Sequence, residues 1–237
     1  MRETLGVFML VKRERKWIGQ WLDRLLPWVD EIVIFAGNSD DGTLEIIQDR
    51  ERNHVSGDKI SLYLGKDPEN LQGAYTAMFN DCLHTLRTDW AAFIHPDMAV
   101  CNPEVIPKFL ETSHGEVAAS FGVRSFAGEP DGQLCEIVGT RADKWKAIYR
   151  LRNPNLGAHY FGYYGAWNED VYQTAITGTS HKHFGQFFEH YPYRIVDSGV
   201  KCLHFGDVRT YERRFGRMKT CLLNGGNTEE KAIEIAS

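Results

Sequence analysis

W-A-A-F-I-H-P-D-M-A-V, residues Trp90 to Val100, is the stretch whose reading decides the fold. Ala91 to Ile94 form a short apolar run, and His95, Pro96 and Asp97 follow at once. A strand buried on both faces that delivers polar groups to its exposed end has this pattern. In open α/β sheets ligands bind in the crevice outside the carboxyl ends of the strands, so Asp97 is the first candidate for a functional group. The same residues also read as a strand followed by a plain Pro-Asp turn. The flanking sequence has to decide between the two.

Toward the N-terminus, Leu5 to Val11 reads as a first buried strand and Glu14 to Leu26 as a helix. In that helix Trp17, Ile18, Trp21, Leu22 and Leu25 recur at helical spacing, and Pro27 ends it. Ile32 to Phe35 is a second apolar strand that passes through G-N-S-D-D-G-T into the amphipathic Leu44 to Arg50. Ile60 to Leu64 reads as a third strand and Leu71 to Leu86 as a long helix. Strands alternating with helices up to Val100 predict an α/β, Rossmann-like domain with a mostly parallel central sheet flanked by helices.

Toward the C-terminus the pattern changes. Pro103 to Leu110 reads as a short helix, and Val117 to Val123 and Leu134 to Thr140 as strands flanking the turn G-E-P-D-G. Aromatic and Gly residues crowd His159 to Trp167, ahead of a helix from Asn168 to Ile176. Arg194 to Val196 and Val200 to Leu203 suggest a late hairpin, followed by His204-Phe205-Gly206 and a basic helix from Tyr211 to Leu223.

Composition bounds the rest. The 237 residues are 43% hydrophobic and 25% charged, ordinary for one α/β domain with a sizeable core, and no Pro/Gly/Ser-rich linker divides them. A formal charge of −5 gives no global basic surface, which argues against a protein that holds nucleic acid mainly through phosphates. Cys82, Cys101, Cys135, Cys202 and Cys221 lack C-x-x-C spacing, so the cysteines imply neither a zinc ribbon nor a disulfide framework. A reducing, cytoplasmic setting is expected. No apolar run approaches the ~20 residues needed to span a bilayer.

Several spaced features together resemble the GT-A glycosyltransferases, most closely the inverting family 2 type. V-K-R-E, at the end of the first strand, resembles that family's V-K-N-E. V-D-E-I-V-I-F-A-G-N-S-D-D-G-T resembles its V-D-E-I-V-V-V-D-D-G-S-T-D-G-T, and G-A-Y-T-A-M-F-N its G-x-x-x-A-x-N helix. T-D-W-A-A-F-I-H-P-D-M then stands where the family has D-W-V-L-F-L-D-A-D-E. The resemblance implies a single GT-A domain over residues 1–237. Residues 1–100 form its nucleotide-sugar-binding half and residues 101–237 its acceptor-binding and catalytic half.

The activity implied is transfer of a sugar from a nucleoside-diphosphate sugar to a hydroxyl acceptor. A divalent metal bridges the donor's diphosphate to the family's D-x-D carboxylates, because a pyrophosphate leaving group needs charge neutralisation as the glycosidic bond breaks. Asp97 matches the final Asp of that motif and His95 replaces the first, so the metal shell expected here is Asp97 and His95, with His204 from C-L-H-F-G-D-V-R completing it. Imidazole favours Mn²⁺ over Mg²⁺. Ala36 and Gly37 stand where the family has two Asp, and Asn38 and Ser39 are candidates to contact the donor instead. Asp40 and Asp41 read as the cap and first turn of the following helix. Lys12 and Arg13, at the end of the first strand, together with Asn80, Arg209 and Arg213, are further donor-binding candidates, with Gly206 permitting close backbone approach.

Inversion needs a carboxylate that takes the acceptor's proton. Trp167-Asn168-Glu169-Asp170 resembles the family's E-D motif, which makes Asp170 the candidate base and Glu169 its alternative. His181 and His183 read as polar loop residues. The aromatics of His159 to Trp167 suit stacking on a sugar or base, and leave a saccharide, glycolipid, protein or modified nucleic-acid base open as acceptor. Two alternatives on the same sheet are a non-catalytic carbohydrate- or nucleotide-binding module and a nucleotidyltransferase. The latter lacks the Gly-rich phosphate loop expected after the first strand.

Overall fold

The structure, a computed structural model, describes residues 2–65, 81–82, 85–112, 118–128, 133–137, 146–150 and 195–208. Four strands build the parallel part of the sheet: β1 (Leu5–Val11), β2 (Glu31–Ala36), β3 (Ile60–Leu64) and β4 (Trp90–Phe93), in the order β3-β2-β1-β4. Between them run α1 (Arg15–Leu25) and α2 (Thr43–Asn53). Alternate residues of these strands divide between two apolar clusters. Val7, Met9, Ile32, Ile34, Trp90 and Ala92 face one with Ile18, Leu22 and Ile47 of the helices, while Phe8, Val33, Ala91 and Phe93 face the other with Cys82 and Leu86. Burial on both faces is why β1, β2 and β4 read as apolar runs, whereas β3 buries only Ile60 fully and exposes Tyr63 and Leu64.

The expected strands and helices of residues 4–64 appear with their ends moved by a few residues at most. Of the helix expected over residues 71–86, Asp81, Cys82 and Thr85 are described and helical, and Leu86 N–H donates to Cys82 O at 3.2 Å. The remainder of that helix lies outside the described residues.

Beyond β4 the sheet becomes mixed. β5 (Met98–Val100) follows the turn, and a short 3₁₀ turn at Pro103–Val105 leads into α3 (Ile106–Thr112). β6 (Ala118–Gly128) and β7 (Leu134–Ile137) pair antiparallel across the expected turn. β8 (Lys146–Arg150), which sequence reasoning missed, lies antiparallel between β4 and β6. β9 (Ile195–Val208) runs parallel to β6 and antiparallel to β5, completing the order β3-β2-β1-β4-β8-β6-β9-β5.

The late hairpin is corrected: its two segments are one continuous strand. Between the pairs Ser120↔Asp197 and Gly122↔Lys201, β9 carries more residues than β6, and Gly199 takes a φ of 73°. Asp197 Oδ1 accepts Gly199 N–H at 2.9 Å and Ser198 Oγ accepts Val200 N–H at 3.2 Å. Asn102 closes the outside, donating to Gly199 O at 2.9 Å and accepting Lys201 N–H at 2.7 Å. The D-S-G segment satisfies its own backbone donors, so the chain bulges and continues where a turn was expected.

Candidate functional site

Strand parity builds the site. In β6 the side chains of Phe121, Val123 and Ser125 are buried, and in β9 those of Val200 and Cys202, with His204 next on the same parity. The register pairs Ser125 with His204 on one side and Met98 with His204 on the other. Both rows are apolar until they reach the carboxyl end of β4, where each presents a polar group. Ser125 is 3% exposed, and its Oγ lies 3.4 Å from His204 Nδ1. A polar residue on the buried parity of an apolar strand was the available signal for Ser125, and sequence reasoning passed over it.

Asp97 reaches the same point from β4. His95-Pro96-Asp97-Met98 is a turn closed by Met98 N–H donating to His95 O at 3.0 Å, with Pro in its favoured second position. The Pro-Asp turn is present, and it carries the carboxylate to the sheet edge. Asp97 is 7% exposed, with Oδ1 3.7 Å from His204 Nε2. Asp97 O accepts Phe205 N–H at 2.8 Å. The ring of His95 packs edge-on to Phe93, their centroids 4.2 Å apart. Among the described residues no three His, Cys, Asp or Glu side chains converge as a metal-binding group. Of the expected shell of Asp97, His95 and His204, the structure brings the first and last together.

A second register change follows directly. From Ser125↔His204 to Ala127↔Asp207, β9 again carries an extra residue. Phe205 lies in this bulge, stacked at 5.4 Å and 5° on Trp17 of α1 and at 5.7 Å and 24° on Phe126 of β6. Lys16 Nζ stands 5.3 Å from the Trp17 ring, and the Arg124 guanidinium 5.8 Å from that of Phe126. Arg124 is itself held by Glu136 through two hydrogen bonds of 2.8 and 2.6 Å. A cavity of about 430 Å³ lies between α1 and β5, with Asp97, Trp17, Trp21, Leu25, Met98 and Phe205 in its wall. Arg24 braces this side by donating to Val100 O at 3.0 Å and also to Cys101 O.

Across the sheet edge, the ends of β1 and β2 are braced to each other. Arg13 has a φ of 55°, its N–H donates to Ser39 Oγ at 3.0 Å, and its guanidinium holds Asp40 by two bonds of 2.9 Å. Those bonds hold the Asp40 carboxyl below the usual carboxylate range. Lys12 and Asn38 are exposed at the same edge. Gly42, in the left-handed region at φ 91°, is the cap residue of α2, but its helix-start hydrogen bond comes from Asp41, whose Oδ1 accepts Thr43 N–H at 3.1 Å. The cap and first-turn roles expected of Asp40 and Asp41 are corrected: Gly42 is the cap and Glu45 the first-turn acid, Asp41 braces the helix start from one residue before the cap, and Asp40 serves Arg13. Burial raises the Asp41 pKa, but hydrogen bonds from the Thr43 hydroxyl and from the Thr43 and Arg15 amides outweigh it and leave the pKa lowered.

Asn80, Asp170, Glu169, Arg209 and Arg213 lie outside the described residues, as do His159 to Trp167, His181, His183, the helix expected over 168–176 and the basic helix over 211–223. No helix among the described residues is long and apolar enough to cross a membrane.

No protein-family model matches this chain, and no curated protein does. Solved structures do. The mannosyltransferase PcManGT from Pyrobaculum calidifontis, in complex with GDP-Man and Mn²⁺, is 15% identical with a TM-score of 0.59 over 100% of this chain and 69% of its own. Residues 1–349 of TarS from S. aureus are 13% identical with a TM-score of 0.51, over 97% of this chain and 68% of theirs. At this level of identity the likeness is one of fold, and the fold is that of the GT-A glycosyltransferases.

Proposed function

We propose that this chain is a glycosyltransferase that moves a sugar from a nucleoside-diphosphate donor to a hydroxyl acceptor, with inversion and with a divalent cation. The observation that carries the reading is the Asp97–His204 pair, a nearly buried carboxylate and an imidazole 3.7 Å apart beyond the carboxyl end of β4 in a GT-A sheet. Two ligands each about 2.0–2.3 Å from one cation lie at most about 4.6 Å apart, so this pair fits a shared ion. A mixed oxygen and nitrogen donor set favours Mn²⁺ over Mg²⁺. Diphosphate oxygens and water are the natural remaining ligands, as in other sites where a protein supplies few of its own. When bound, the cation offsets the negative charge that develops on the departing diphosphate.

The chain's own residues do the rest. The turn at 95–98 and the pairing of β5 with β9 fix the two ligands before a donor arrives, which lowers the cost of assembling the site. Lys12, Arg13, Asn38 and Ser39 face the donor from the ends of β1 and β2 in this proposal, with Asn80, Arg209 and Arg213 completing that side. Asp170, or in its place Glu169, takes the acceptor hydroxyl's proton as its oxygen attacks the anomeric carbon. Residues 1–100 thereby form the nucleotide-sugar-binding half and residues 101–237 the acceptor-binding and catalytic half, which also lends His204, Arg209 and Arg213 to the donor; the acceptor is a saccharide, glycolipid, protein or modified base. The described cysteines are free thiols, which supports a reducing, cytoplasmic compartment.

The test is to incubate the protein with Mn²⁺ and a panel of nucleoside-diphosphate sugars, following thermal stabilisation and release of the nucleoside diphosphate. At least one donor stabilises the protein and is turned over; no binding, hydrolysis or transfer with any donor overturns the proposal. Asp97→Ala abolishes turnover in an enzyme. Donor binding in the wild type without turnover, unchanged by Asp97→Ala, identifies a non-catalytic binding module instead.

A further inference from the structure

We propose that Phe205 is a positioning residue that sets the separation of Asp97 from His204, acting through the stack Trp17–Phe205–Phe126. The inference rests on the reading of Asp97 and His204 as cation ligands. At a bulge the ladder hydrogen bonds lapse and the extra residue loses its cross-strand partner, so the β6 ladder alone under-specifies the direction of the neighbouring side chain, and the pairing with β5 ends at the same place, with Met98↔His204 as its last pair. The bulge of β9 falls immediately after His204. Something other than the β6 ladder must hold the backbone there.

Phe205 meets that need at two points. Its ring stacks on Trp17 of α1 and on Phe126 of β6, near-parallel to both, so two separate elements restrict its χ angles. Its backbone N–H crosses to Asp97 O at 2.8 Å, so the residue that is clamped also tethers the main chain of the carboxylate. One side chain thereby fixes the main chain of both proposed ligands, next to His204 in sequence and across a hydrogen bond from Asp97. Both outer partners also carry a cation, Lys16 over Trp17 and Arg124 over Phe126, and Arg124 is anchored by Glu136.

Removing the ring while keeping the backbone lets the bulge relax and the two ligands drift. Residues that orient metal ligands without touching the ion typically change affinity by about 10–100-fold when lost. Phe205→Ala is therefore expected to weaken Mn²⁺ binding by about tenfold or more, whereas Phe205→Tyr, which keeps the stacking face, restores it. Phe126→Ala, which removes one half of the clamp, falls between. Phe109→Ala serves as control, because it truncates an aromatic packed 5.2 Å from Trp90 elsewhere in the core. It lowers the melting temperature and leaves Mn²⁺ affinity within twofold.

The experiment titrates each full-length variant with Mn²⁺ alone and counts free ion by electron paramagnetic resonance, with circular dichroism and melting temperature recorded alongside. Wild-type binding that is lost in Asp97→Ala, weakened in Phe205→Ala and recovered in Phe205→Tyr supports the inference. Wild-type affinity in a folded Phe205→Ala overturns it while leaving the cation reading intact. No saturable Mn²⁺ binding by the wild type overturns the cation reading and the positioning role with it. Should Phe205→Ala fail to fold, Phe205→Leu and Phe126→Ala decide: affinity within twofold of wild type in both refutes the clamp.

Discussion

Replacing Asp41 by Ala tests whether this carboxylate braces the start of α2. Its Oδ1 accepts the Thr43 hydroxyl at 2.5 Å and the Thr43 amide at 3.1 Å, and Oδ2 accepts the Arg15 amide at 3.3 Å. Thr43 is fully buried, and its Oγ1 in turn accepts Glu14 N–H at 2.9 Å, so the hydroxyl proton is committed to Asp41. Loss of a helix-start acceptor costs about 0.5–2 kcal/mol, and a buried hydroxyl left without its acceptor about 1–3 kcal/mol. These terms overlap, so Asp41→Ala is expected to cost about 2–3 kcal/mol, which for a chain of this size lowers the melting temperature by about 4–12 °C. Asp41→Asn keeps an acceptor oxygen and loses about half as much.

The pH dependence carries a sign. Hydrogen bonds leave the Asp41 carboxyl below its ordinary 3.8, so the folded state binds its proton less readily than the unfolded chain. The stabilisation it gives is full above the unfolded value and is lost as pH falls through the lowered folded value. Urea titrations at pH 7 and at successive steps below pH 4 check both claims. A loss below about 0.5 kcal/mol at pH 7, or a gap between wild type and Asp41→Asn that widens on acidification, refutes the assignment.

Other perturbations give equally direct outcomes. Gly57→Ala places a Cβ against the main-chain carbonyls of Arg50 and Glu51 at the end of α2, and is expected to destabilise by about 1–3 kcal/mol in denaturant titration. Gly199→Ala meets nothing within 4 Å but must hold a φ of 73°, so it costs about 1–2 kcal/mol through the backbone alone, and Gly199→Asn costs less. Burial, with help from Asp81, pushes the Cys82 thiol up to about 12, so native protein at pH 8 leaves Cys82 unmodified by iodoacetamide. Exposed Cys101 and Cys135 are alkylated under the same conditions and buried Cys202 is not, which peptide mass mapping resolves.

The first sixty-odd residues were legible because β1 and β2 have chemistry that does not depend on distant partners. Apolar runs buried on both faces announce themselves, and helices with Trp17, Ile18, Trp21 and Leu22 at helical spacing fix their own inward face. β8 was not legible. Its five residues pair with β4 and β6, both far away in sequence. The hairpin expected near residue 198 failed for a related reason, since Asp, Ser and Gly signal a turn and a bulge alike, and only the register of β6 separates them.

The site was legible where it follows a strand end and hidden where it depends on register. Asp97 stands out as the polar residue after an apolar run, whereas the pairing of Ser125 with His204 requires knowing that β6 and β9 are neighbours. The stack of Trp17, Phe205 and Phe126 has no periodic signature at all, because its members come from three elements.

The pairing of β5 with β9 also has a consequence in time. Asn102 and Gly199, which close the bulge beside this pairing, are 97 residues apart in the chain. A ribosome adding about 5–20 residues per second needs roughly 5–20 s to cover that distance, and throughout it Met98 to Val100 wait without the β9 ladder. The four parallel strands can pair with one another during this interval, because all four have already been synthesised. Asp97 is thus synthesised early and armed late: a nascent chain halted before β9 carries the carboxylate but cannot yet hold it against an imidazole.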